Sequence, residues 1–73
     1  MSKPAKELIA MLREIRIERG WTQEELSAKL GKHVNQVTVW ESGLTNPRLD
    51  SLLAWADALG YEFDLYVKEP ANV

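Results

Sequence analysis

Between Lys6 and Arg19 apolar residues recur at steps of three and four, with Leu8, Leu12 and Ile15 on one stripe and Lys6, Arg13 and Glu14 off it. That spacing predicts an amphipathic helix, stopped by Gly20. Trp21 follows at the position where a hydrophobic residue folds back on the helix it leaves. Thr22-Gln23-Glu24-Glu25 reads as a capping box, in which the threonine hydroxyl and the third-position glutamate each satisfy an orphan amide, so a second helix starts near Gln23. Leu26 and Leu30 lie one turn apart on it, and Gly31 ends it. Val37, Trp40 and Glu41 fall at helical spacing in a third helix, closed by Gly43 and Asn46-Pro47. Leu49, Leu52, Leu53, Ala56 and Leu59 mark a fourth, ended by Gly60. The period then drops to two: Tyr61, Phe63, Leu65 and Val67 alternate with Glu62, Asp64, Tyr66 and Lys68, the pattern of a strand.

The second and third helices, about eight to ten residues each, are separated by too little chain to lie antiparallel along a wide seam, so they cross steeply as a helix-turn-helix. The expected fold is all-α: a bundle of about four helices over residues 1–60, a C-terminal β-strand over 61–69 and a frayed tail over 70–73.

At 73 residues the chain makes one domain, near the size where a single core supplies only a few kcal/mol and oligomerisation helps. With no cysteine and one histidine it has neither a disulfide nor the ligands of a structural zinc site. No apolar run approaches the ~20 residues of a membrane span and the start is not a signal peptide, so the expected location is cytoplasmic. Nine Lys and Arg stand against eleven Asp and Glu. Their distribution is uneven: Met1 to Arg19 holds five basic and three acidic residues, and Tyr61 onward one basic and three acidic. The acidic tail can point away from a polyanion that the first helix faces, with weak non-specific binding as the consequence.

Thr22-Gln23-Glu24-Glu25-Leu26, Leu30-Gly31, Val37, Trp40-Glu41-Ser42-Gly43 and Asn46-Pro47 together resemble the Cro/repressor (XRE, lambda-repressor-like) family of DNA-binding proteins. The resemblance runs from about Leu8 to Gly60 without insertion or deletion between Leu30 and Val37. It implies a partly buried ion pair between Arg16 of the first helix and Glu41 of the recognition helix, and a phosphate contact from Gln23 at a helix N-terminus. Three positions depart from the family pattern. Ser27 stands where alanine is usual, Lys32 where an aliphatic residue is usual (with Val34 expected to tuck inward in its place), and Arg48 where a serine cap is frequent.

Catalysis finds no basis: there is one histidine, no glycine-rich phosphate loop, and the carboxylates are scattered along helix faces. A recognition helix over about residues 33–42, docked in the major groove of double-stranded DNA, offers Val34, Asn35, Gln36, Thr38 and Val39 as base-reading candidates. Asn35 can bond adenine bidentately, and Thr38 or the valine methyls suit a thymine methyl. Phosphate candidates are Gln23, Lys32, His33, Arg48 and Arg13. The expected role is a transcriptional repressor or autoregulator working without cofactor or metal, and short relatives ending in a strand resemble antitoxins, which adds a toxin as a possible partner. The alternative is an adaptor or antitoxin module that binds a protein and does not read DNA. A strand without a partner in its own chain is expected to pair with a second copy, giving a homodimer through Tyr61, Phe63, Leu65 and Val67, with Trp55 beneath them.

Overall fold

A computed structural model describes residues 5–64. Among them four helices follow in order: α1 (Ala5–Glu18), α2 (Gln23–Leu30), α3 (Val34–Ser42) and α4 (Leu49–Ala58). The capping box at Thr22 is complete, with Glu25 N donating to Thr22 Oγ1 at 3.0 Å and Thr22 N donating to Glu25 Oε1 at 2.8 Å. Gly31 closes α2 at φ 66°, a left-handed conformation that strains a residue carrying Cβ. The amides of Gly31 and Lys32 then reach back to Ala28 O and Ser27 O at 3.3 and 2.9 Å, so the chain reverses within one turn and α3 begins at Val34.

Each helix contributes to one core: Ile9 and Leu12 from α1, Leu26 from α2, Val37 and Trp40 from α3, Trp55 and Ala56 from α4, and Leu59 just beyond it. The Trp40 and Trp55 rings stack at 6.1 Å between centroids, which locks α3 to α4. Helix α2 packs against both α3 and α4, and α1 against α3. Trp21 packs partly against the core, under the Lys29 ammonium 4.8 Å from its ring centroid. Ser27 is buried, and its hydroxyl donates to Glu24 O at 2.8 Å, which lets a polar residue occupy a close-packed position.

One expectation is corrected. The inward stripe of α1 is Ile9, Leu12 and Arg16, with Leu8 and Ile15 only half-buried, because the helix is turned to carry Arg16 inward. Trp55, expected beneath the C-terminal strand, is 0% exposed and part of the chain's own core. No strand is assigned over residues 61–64. Leu65, Val67 and the rest of the expected strand lie outside the described residues.

Candidate nucleic-acid interface

Helix α3 starts at His33, whose Nδ1 accepts the Asn35 amide proton at 3.2 Å. In the neutral ring this places the hydrogen on Nε2, leaving a donor on the far side of the imidazole. The outward residues of α3 are Asn35, Gln36, Thr38 and Ser42, while Val34 and Val39 are half-buried and Val39 packs against the core. Of the base-reading candidates, the polar ones are therefore open to solvent and the two valines offer only an edge.

The inner side of α3 is anchored by Glu41, whose carboxylate is 2% exposed. Arg16, its side chain 9% exposed, donates from Nε to Glu41 Oε2 at 2.7 Å and from Nη2 to Oε1 at 2.9 Å, a bidentate pair. Arg16 Nη1 donates to the Trp21 carbonyl, so one guanidinium joins α1, the α1–α2 turn and α3. Gln23 Nε2 donates to Glu41 Oε1 at 3.0 Å, and Thr38 Oγ1 approaches Gln23 Oε1 at 2.7 Å. Arg13 Nε sits 3.7 Å from Glu41 Oε1, but its side chain is 48% exposed and remains largely in water. The pairing of Arg16 with Glu41 is thus the centre of a five-residue network, and its outer members, Gln23 and Thr38, lie on the solvent side of α2 and α3.

The remaining candidates fall on two flanks of α3. On one side Lys6, Glu7, Arg13, Gln23, Thr38 and Ser42, with Ile9 and Ala10, line a groove of about 630 Å³ between α1 and α3. On the other, Lys32, Gln36, Asn46, Arg48 and Ser51 line a depression of about 380 Å³ where the α2–α3 turn meets the start of α4. Arg48 is the residue before α4 and makes no side-chain cap bond; within the first turn of that helix the Ser51 amide donates instead to Asp50 Oδ1 at 2.9 Å. A cation-bearing flank on each side of an exposed polar helix is the arrangement that fits a helix lying between two phosphate strands. Lys6 belongs to the basic first segment, Lys3 to Arg13, that also offers phosphate candidates; the links from Gln23 to Glu41 and Thr38 were not expected, since residues 15 and 18 positions apart carry no spacing signal of contact.

A helix-turn-helix family model matches residues 12–66, three quarters of the chain. The protein belongs to the Cro/repressor-type (XRE) helix-turn-helix family, a family of DNA-binding regulators. No curated protein matches the sequence. Among the described residues no helix is long and apolar enough to cross a membrane.

Proposed function

We propose that this chain is a sequence-specific double-stranded DNA-binding transcriptional regulator, acting as a repressor or autoregulator of the phage-repressor or antitoxin kind. The observation that carries this reading is the mounting of α3. Its inner side is tied to α1 and α2 through the buried Arg16–Glu41 pair, while its outer polar face is flanked by Arg13 and Gln23 on one side and Lys32 and Arg48 on the other. Asn35, Gln36 and Thr38 read bases, with Val34 and Val39 adding apolar edges, and Gln23, Lys32, His33, Arg48 and Arg13 hold phosphates. No cofactor is needed.

One recognition helix reaches few base pairs, so the working form is a homodimer whose helices enter successive major grooves about 34 Å apart. Tyr61 and Phe63, both exposed at the end of the described chain, support a joint formed by the C-terminal segment, with Leu65 and Val67 completing its apolar side. In the antitoxin setting the same segment is where a toxin would compete.

Titration of duplex DNA at several salt concentrations tests the reading. Neutralising phosphates releases counterions, so the logarithm of affinity falls linearly with the logarithm of salt by ~0.9 per phosphate contacted. An adaptor that binds only protein shows no such slope.

A further inference from the structure

We infer that Thr38 divides its two functional groups between two tasks: its hydroxyl holds the Gln23 amide in place, and only its methyl reads the DNA. The inference rests on the DNA-binding reading above and assigns one residue's part in it. A carboxylate can only accept hydrogen bonds, so the 3.0 Å contact between Gln23 and Glu41 must be made by the Gln23 NH₂ group. That fixes the side-chain amide with its oxygen toward Thr38, 2.7 Å from Oγ1. The second acceptor near Oγ1 is Val34 O at 3.0 Å, the carbonyl four residues back along α3. Both neighbours are acceptors, and a hydroxyl has one proton. Two oxygens approach to 2.7 Å only with a proton between them, so the hydroxyl donates to Gln23 Oε1 and none is left to donate to a base nitrogen or carbonyl. With Oγ1 turned back against its own helix, the methyl is the part of this exposed side chain left to meet a groove, and in the major groove its apolar partner is the 5-methyl of thymine.

Gln23 gains from the same contact. Its amide has two N–H bonds, of which Glu41 takes one. With the oxygen held by Thr38, the second is presented at the first turn of α2, beside backbone amides that also face outward. Thr38 is therefore a positioning residue for the phosphate contact of Gln23.

The test uses the full chain and a duplex that the wild-type protein selects from a random pool, with four proteins: wild type, Thr38→Val, Thr38→Ser and Gln23→Ala. Valine keeps a methyl and loses the hydroxyl; serine does the reverse. Replacing thymidine by deoxyuridine one position at a time should cost the wild type about fourfold in affinity at one site, the value of a single buried methyl. Thr38→Val should keep that sensitivity and Thr38→Ser should lose it. Ethylation of single phosphates should identify one phosphate that matters to wild type and Thr38→Ser but to neither Thr38→Val nor Gln23→Ala. Thermal melts of the four proteins separate these effects from loss of fold. A duplex bound with a normal salt slope but indifferent to deoxyuridine overturns the assignment of the methyl; a Thr38→Val protein still sensitive to the phosphate that Gln23→Ala ignores overturns the positioning. Failure to select any duplex, with no salt-dependent binding, overturns the DNA reading itself and this inference with it.

Discussion

Replacing Glu41 by alanine removes the acceptor that holds three elements together, and the loss can be sized from its surroundings. Arg16, whose side chain is 9% exposed in the native fold, would be left with two of its donors unpaired, keeping only the Trp21 carbonyl. Breaking a buried pair by removing one partner costs about 3–5 kcal/mol, because the surviving charge cannot regain water. Arg13 does not rescue the site, since it carries the same sign as Arg16 and is itself half in solvent. In a domain of this size each kcal/mol moves the melting temperature by about 4–8 °C, so the expected drop is at least about 12 °C by circular dichroism. DNA affinity should fall as well, since Gln23 loses its anchor. Pairing Glu41→Leu with Arg16→Met supplies the control. The double variant leaves no orphaned charge and should recover most of the stability while leaving Gln23 without its anchor. A Glu41→Ala protein with unchanged melting temperature and unchanged affinity would refute the reasoning.

The remaining predictions follow from single side chains. Arg13→Ala should change stability by less than about 0.5 kcal/mol, because its ion pair is exposed, yet lower the salt slope of DNA binding by about one; an unchanged slope removes Arg13 from the phosphate set. Asn35→Ala should lose about 1–3 kcal/mol on the selected site and relax preference at one base pair, whereas Gln23→Ala should weaken all sequences alike. Arg48→Ser should stabilise the fold by about 1 kcal/mol by capping α4 while weakening DNA binding, and a stabilised variant with undiminished affinity would assign Arg48 no part in the interface. Sedimentation of the full chain against one ending at Gly60 should show a dimer only for the former; a full-length monomer that binds a palindromic site without cooperativity excludes the dimer.

The helix ends were readable because they rest on local chemistry. Thr22 with Glu25 and Gly31 each act within one turn, and the bonds they make are those that their types and spacing require. The rotation of α1 was not readable from its apolar residues alone. Leu8, Ile9, Leu12 and Ile15 spread over more than one face, and the tie is broken by Arg16, a charged residue that periodicity assigns to solvent and the Glu41 carboxylate draws inward. That pairing came from likeness to the family and not from spacing. Trp55 shows the opposite limit. Its placement beneath a dimer strand followed from position on α4, but stacking on Trp40 is a contact between distant residues that no local pattern signals. The same burial leaves the Trp55 indole Nε1 without a hydrogen-bond partner among the described residues, a cost the core carries for filling that volume with an aromatic ring.

An acidic chain can act on a polyanion when its charges are sorted by face. On α1 Lys6 and Arg13 are seven residues apart, two turns, and share the edge that lines the groove beside α3. Glu7 lines the same groove, whereas Glu14 and Glu18, one turn apart, do not. Glu41, the acidic residue at the centre of the site, is neutralised internally by Arg16, so it presents little negative field to a phosphate. On the two flanks of α3 Lys6, Arg13, Lys32 and Arg48 thus outnumber Glu7 and the internally paired Glu41, within a molecule of net charge −2. Beyond a Debye length of ~8 Å at physiological salt the net charge is screened and the local pattern dominates. Such a protein gains little from non-specific attraction to DNA and depends on the fit of α3 to its site. Reversing a charge away from the two flanks of α3, for example by Asp57→Lys at the exposed end of α4, should therefore leave binding to random duplex and to the selected site nearly unchanged at physiological salt, and a clear gain on random duplex would show that net charge and not the local pattern governs the encounter.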